Sequence, residues 1–299
     1  MKPLLVVVAG PTAVGKTALS VQLAENLHCP IISADSRQFY KELKIGTAPP
    51  SEEELSRVKH YFIGHLSISD YYNVSQYEQN VQKLFSDNII DSPVIILTGG
   101  SGLYINAVCH GIAEMPDMDP ALRKQLMLDT EKGGLDFLRC KLEKMDPVAF
   151  SKIDKNNKNR LLRAVEMNLM TGKNLAEIHS QSASNRPFRV LKLALNLPRD
   201  ILYSRINQRV DHMMAAGFEE EARCLLPFRH LNALNTVGYK ELFHYLEGLD
   251  TLDGAIEKIK TSTRKYAKRQ LTWFRADDEY QWFEPSQMDE MMSLISSQI

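Results

Sequence analysis

Leu4-Leu5-Val6-Val7-Val8-Ala9-Gly10-Pro11-Thr12-Ala13-Val14-Gly15-Lys16-Thr17 is the stretch that decides the architecture. Its first six residues are an unbroken apolar run, as expected of a strand buried on both faces. The next eight match G-x-x-x-x-G-K-[ST] in full, and Ala18, Leu19, Val21, Leu23, Ala24 and Leu27 then follow a helical pattern. Strand, glycine-rich loop and helix in that order separate a phosphate cradle from an ordinary tight turn. The glycines let backbone N–H groups face anionic oxygens, and the helix N-terminus reinforces them. Gly10, Pro11, Thr12, Ala13, Val14, Gly15, Lys16 and Thr17 are therefore assigned to a phosphate chain. Lys16 would neutralise the terminal phosphates, and Thr17 would hold Mg²⁺.

Working outward, Pro30 to Ser33 and Pro93 to Leu97 are further apolar runs, each leading into a loop and then a helical pattern. That alternation predicts an α/β fold with a doubly wound parallel sheet of the P-loop NTPase type, its chemistry at the carboxyl ends of the strands. From Met115 to about Asn185 the strand signals stop. Leu122, Leu126, Leu135, Leu138 and Leu142, then Leu161, Leu162, Val165, Leu169 and Met170, fit amphipathic helices. The expected organisation is a core of residues 1–114 and 186–299 interrupted by a helical insertion, 115–185. Val190 to Leu197 returns to the sheet, and long helices follow from Asp200, one of them Gly254 to Phe274.

A phosphate loop specifies polyphosphate, not hydrolysis. A hydrolysing enzyme pairs it with a strand ending in an aspartate that supports metal and water. Here Val94-Ile95-Ile96-Leu97 ends in Thr98-Gly99-Gly100-Ser101-Gly102, with no carboxylate at its tip. The strand Ile31-Ile32-Ser33 does lead to one, Asp35, at the edge where a ligand sits. Asp35 could organise Mg²⁺ or accept a proton from a nucleophile; a plain surface aspartate is the competing reading.

Composition sets the outer bounds. The chain has 299 residues, 44% of them hydrophobic and 24% charged, as in ordinary globular proteins. No run approaches the ~18 apolar residues of a membrane span, and the apolar run near the N-terminus is too short for a signal peptide. A protein without membrane attachment, cytoplasmic and monomeric, is expected. Cys29, Cys109, Cys140 and Cys224 form no C-x-x-C pair, so reduced thiols are expected rather than zinc or disulfides. The net charge of −1 conceals an asymmetry: Lys258 to Ala276 holds seven Lys or Arg and no acid, whereas Asp277 onward holds six acids and no base. A local basic strip is what a nucleic-acid backbone responds to.

The ordered set of segments resembles the tRNA dimethylallyltransferases. It comprises the phosphate loop, Ser33-Ala34-Asp35-Ser36, Ile45-Gly46-Thr47-Ala48, Gly99-Gly100-Ser101-Gly102-Leu103-Tyr104 and Met118-Asp119-Pro120-Ala121-Leu122-Arg123. It continues through Asn159-Arg160-Leu161-Leu162-Arg163-Ala164-Val165-Glu166, Gly217-Phe218-Glu219-Glu220-Glu221 and Val237-Gly238-Tyr239-Lys240-Glu241-Leu242. It ends at Ala267-Lys268-Arg269-Gln270-Leu271-Thr272-Trp273-Phe274-Arg275. The phosphate loop alone is shared by many functions; the ordered set is specific and spans nearly the whole chain.

The resemblance implies transfer of a dimethylallyl group from dimethylallyl diphosphate to the exocyclic amine of the adenosine just 3′ of the anticodon, with Mg²⁺. Asp35 would be the general base, in a catalytic set with Lys16 and Ser101. The tRNA anticodon stem-loop would be contacted by Asp35, Ser36, Arg37 and Gln38, and by Asn159, Arg160, Leu161, Leu162 and Arg163. Asn235, Thr236, Val237, Gly238, Tyr239 and Lys240 would add contacts, as would Lys268, Arg269, Gln270 and Arg275. Ser101 and Arg123 fall at further contacting positions. Independently of the family, Arg160 and Arg163 are three apart and would share a helix face toward adjacent phosphates. Tyr266, Trp273 and Phe274 read as core rather than as base-stacking platforms.

This chain departs from the family pattern at Ser101, where Thr is usual, at Arg37, where an apolar residue is usual, and at Pro49, often Lys. Asn156-Asn157-Lys158 replaces a Pro-Asn-Asp run. The zinc-finger extension of eukaryotic relatives has no counterpart, as expected of a bacterial-type enzyme. Two rivals remain: a P-loop small-molecule kinase, and an ATP-gated RNA-binding module without catalysis. In the transferase reading ATP is at most a competitor for the loop.

Overall fold

The computed structural model describes residues 2–113, 119–179 and 186–299. Six strands form one sheet: β1 (Leu4–Ala9), β2 (Ile31–Ser33), β3 (His60–Tyr61), β4 (Val94–Gly99), β5 (Arg189–Leu195) and β6 (Gln281–Phe283). The order is β3-β2-β4-β1-β5-β6 and every pairing is parallel. The helices are α1 (Lys16–Leu27), α2 (Glu52–Arg57), α3 (Val74–Ser86), α4 (Gly102–His110), α5 (Pro120–Met145), α6 (Pro147–Lys152) and α7 (Lys158–Thr171). They continue as α8 (Leu175–His179), α9 (Arg199–Ala215), α10 (Phe218–Leu225), α11 (Tyr239–Leu246), α12 (Leu252–Arg275) and α13 (Met288–Ser296).

The unbroken apolar character of the central strands follows from burial on both faces. Leu4, Val6 and Val8 of β1 join one core with Val94 and Ile96 of β4 and with Leu19 and Leu23 of α1. Leu5, Val7 and Ala9 point the other way, into a core with Ile95, Leu97, Tyr77 and Ile105. A third core, around Phe218, Tyr239, Leu242 and Ile259, joins α9 to α12 and receives Tyr40 and Leu43. Fixing these helices beyond the strand ends builds the walls of the site described below.

The chain divides into two compact units, residues 1–109 with 186–299, and residues 110–185. In the second, α5 and α7 pack around Leu126, Leu138, Leu142, Leu161, Leu162 and Val165. Asp119 caps α5 through hydrogen bonds from Ala121 N (2.8 Å) and Leu122 N (3.1 Å). Every element among its described residues is helical. The expected domain borders, near Glu114 and Met115 and near Asn185, lie outside the described residues, as does Met118.

Sequence patterning does not announce β3 and β6. They are edge strands of two and three residues, paired on one side only and lacking an apolar run. The long helices expected from Asp200 are present, and β6 lies between the last two helices. No helix among the described residues is long and apolar enough to cross a membrane.

Lys192 is an exception within β5. It is 3% exposed and lies 2.8 Å from Asp277 and 2.6 Å from Glu279, so two of the acids after the basic strip neutralise a buried ammonium.

Candidate active site

Gly10 (φ 148°) and Gly15 (φ 108°) give the phosphate loop its shape; a Cβ on Gly10 would stand 2.8 Å from the Leu195 carbonyl. Gly15 begins α1 with no side-chain cap, which leaves the first N–H groups of that helix open to an anion. The Lys16 ammonium folds over the loop, donating to the carbonyls of Gly10 (3.0 Å) and Pro11 (2.8 Å). Burial pushes it down to about 8; Asp35 opposes the shift and Arg209 adds to it. The Thr17 hydroxyl makes no hydrogen bond among the described residues, and Arg205 Nη1 donates to the Val14 carbonyl (3.2 Å).

β2 delivers the carboxylate. Beyond Ser33 the chain stays tied to β4 through Ala34 N to Thr98 O (2.7 Å), and Asp35 follows directly. Its Oδ1 accepts from Arg37 N (3.1 Å), while its Oδ2 accepts no hydrogen bond among the described residues. Ser101 braces this turn: its Oγ accepts from Ser36 N (3.1 Å) and donates to Ser36 Oγ (3.2 Å). The missing methyl relative to Thr leaves the hydroxyl in use.

Asp35, Thr12, Arg209, Tyr266 and Arg269 line one cavity of about 340 Å³, closed by the Asn235–Gly238 segment and Lys240. Arg209 was not singled out from sequence. It sits on α9 with its guanidinium held by the Thr47 carbonyl (3.1 Å); burial lowers its pKa and Asp35 opposes that. Tyr266 is pushed up to about 12, by burial first and then by Asp35, so it remains a neutral hydroxyl. The sequence signal for Arg209 is weak: one arginine among several on a helix whose inward face only the fold reveals.

Several residues expected to contact RNA make hydrogen bonds within the protein or pack in its cores. Gln270, 6% exposed, accepts from Thr12 N (2.9 Å) and donates to the Gly100 carbonyl (2.9 Å), clamping the phosphate loop to the end of β4. Arg37 donates to the carbonyls of Asn232 (2.9 Å) and Ala233 (3.1 Å), tying the Asp35 turn to the segment that closes the cavity. Gln38 donates to the Ala48 carbonyl (3.1 Å). Tyr239, Leu161 and Leu162 are core side chains. Their burial leaves only backbone to offer a partner.

Lys240, Lys268, Arg269 and Arg275 remain exposed and make no ion pair among the described residues. In the helical unit Asn159 and Arg160 are exposed, whereas Arg123 (3.1 Å) and Arg163 (3.6 Å) both face Glu166, a carboxylate 1% exposed. Sequence spacing puts Arg160 and Arg163 on one face of α7 but does not reveal the buried Glu166 that holds Arg163 and, from α5, Arg123.

Fold and site define a P-loop α/β protein whose phosphate cradle opens into a cavity with one carboxylate and several cations. The family model described as IPP transferase matches residues 38–277, and the chain belongs to that family. It is 50% identical over 295 residues to tRNA dimethylallyltransferase 2 of Parabacteroides distasonis, covering 99% of each chain. The structure is similar to that of the tRNA isopentenylpyrophosphate transferase from Bacillus halodurans (TM-score 0.72, 35% identity), over 99% of this chain and 96% of that one. It also resembles a eukaryotic dimethylallyltransferase captured acting on tRNA (TM-score 0.79, 26% identity), over 96% of this chain and 76% of that one. Each of these relatives is a transferase by name, so the kinase alternative gains nothing from them.

Proposed function

We propose that the protein transfers a dimethylallyl group from dimethylallyl diphosphate to the exocyclic amine of the adenosine immediately 3′ of the anticodon in tRNA, releasing diphosphate. One observation carries the reading. A complete phosphate loop opens beside Asp35, and the strand that would bear a hydrolytic carboxylate ends in Thr98-Gly99. Such a site suits a diphosphate leaving group better than an attacking water.

The amine nitrogen bonds to the allylic carbon as the carbon–oxygen bond breaks, and that electron pair leaves with the diphosphate. The amine proton passes to Asp35, whose Oδ2 is uncommitted. Lys16 and Arg209 face the charge that grows on the leaving group, where desolvated cations act most strongly. The target base must leave the anticodon-loop stack to reach the cavity. Lys240, Lys268, Arg269 and Arg275, with Arg160 in the helical unit, supply the RNA-facing charge, and the Asn159 amide offers neutral hydrogen bonding.

The oxygen donors fit Mg²⁺: the Thr17 hydroxyl has no hydrogen-bond partner among the described residues, and this ion takes one or two protein oxygens beside substrate phosphates. When bound, Mg²⁺ would neutralise diphosphate charge. The protein would act as a monomer in the cytoplasm. A donor screen tests the reading: with dimethylallyl diphosphate and tRNA, diphosphate should be released in step with tRNA modification. Phosphate transfer from ATP to an acceptor would overturn it.

A further inference from the structure

Glu221 lies on α10, outside the cavity, yet its carboxylate gathers four donors. Oε2 accepts from Lys44 N (2.9 Å) and Ile45 N (2.8 Å); Oε1 accepts from Gly46 N (2.9 Å) and the Tyr239 hydroxyl (2.6 Å). Three successive backbone amides and a phenol require a group that only accepts, as an ionised carboxylate does. The segment is pressed inward as well as held: a Cβ on Gly46 would stand 2.3 Å from the Phe218 ring and 2.6 Å from that of Tyr239. The next residue, Thr47, is fixed by its own hydroxyl to the Leu43 carbonyl (2.7 Å). Its carbonyl accepts the Arg209 guanidinium at 3.1 Å.

A continuous set of hydrogen bonds thus runs from α10 through residues 44–47 to the cation that faces Asp35 and Lys16. We propose that Glu221 is a positioning residue for the transfer, fixing the Thr47 carbonyl so that Arg209 points at the leaving diphosphate. This rests on the transferase reading of the cavity. Glu221 touches no substrate; it acts through Arg209. Arg209 is otherwise a long side chain in a desolvated site, and holding it in one rotamer before the donor arrives removes an ordering cost from binding and from the transition state.

The test is a double-mutant cycle read by calorimetry with inorganic diphosphate and by turnover on tRNA. Glu221→Gln presents an amide where amides already converge, and should weaken diphosphate binding and lower kcat by about tenfold each. Arg209→Lys keeps the charge but loses the planar fork that Thr47 holds. In that background Glu221→Gln should cost less than about twofold, because the element it positions is already gone. Penalties that multiply in the double variant would overturn the proposal and leave Glu221 a support of the fold alone. If the Gln variant does not fold, Glu221→Asp, one methylene short but still an acceptor, enters the same cycle with the same expectation. Diphosphate binding needs neither tRNA nor prenyl donor, so failure of the transferase reading would show as lost tRNA turnover in the wild type while the cycle still reports on Glu221.

Discussion

Replacing Gln270 by Leu asks whether this residue holds the phosphate loop or touches RNA. The two side chains are similar in size, so the change removes two hydrogen bonds without opening a large void. It strands the Thr12 N–H and the Gly100 carbonyl at a position only 6% exposed. Each stranded buried group costs about 1–3 kcal/mol, so the pair costs about 2–6 kcal/mol. At ~2–4 °C per kcal/mol for a domain of this size, Tm should fall by on the order of 10 °C. Because Thr12 lines the cavity, diphosphate affinity measured by calorimetry should fall too, while affinity for an anticodon stem-loop RNA should hold. Gln270→Glu keeps the acceptor for Thr12 but sets a carboxylate against the Gly100 carbonyl, so it should be no better than Leu. A Leu variant with unchanged Tm and diphosphate affinity but weakened RNA binding would refute this account and make Gln270 an RNA contact.

Asp35→Asn removes the proton acceptor and should lower turnover by ~10²-fold or more with little change in RNA affinity; near-normal turnover in a single-turnover assay would move the base elsewhere. Lys268→Glu with Arg275→Glu, both exposed and outside the cavity lining, should weaken RNA binding and flatten its salt dependence without touching diphosphate binding, and an unchanged salt slope would contradict it. The Lys16 ammonium, at about 8, should make diphosphate affinity fall as pH rises through 8, by at most ~tenfold per unit, with no such inflection in Lys16→Ala. The stability sign is opposite: burial lowers the folded pKa, so Lys16 costs stability below about 8, and that cost is relieved as pH climbs toward the unfolded value of 10.5.

The phosphate loop, the parallel sheet and the helical run from Pro120 to Thr171 were legible because each rests on local periodicity or on a spacing set by backbone geometry. Asp35 was legible because it follows a strand at the edge where ligands sit. The roles of Gln270, Arg37 and Glu221 were not: their partners lie at residues 12 and 100, 232–233, and 44–46, separations that only the closed fold brings together. Arg209 was missed for the same reason. The exposed polarity of Gln270 and Arg37 in sequence reads as surface; in the structure those groups satisfy backbone. Residues 281–283 escaped because an edge strand of three residues needs neither an apolar run nor alternation to pair with β5.

The central claim is that the phosphate loop holds the diphosphate of a prenyl donor and that Asp35 deprotonates an adenine amine. Mass spectrometry of tRNA digested after incubation with the protein, dimethylallyl diphosphate and Mg²⁺, with every nucleoside triphosphate removed, tests it most directly. The account predicts one isoprene unit added to the exocyclic amine of the adenosine immediately 3′ of the anticodon, lost in Asp35→Asn and Lys16→Ala. Unmodified adenosine, or modification that appears only when ATP is supplied, would contradict it.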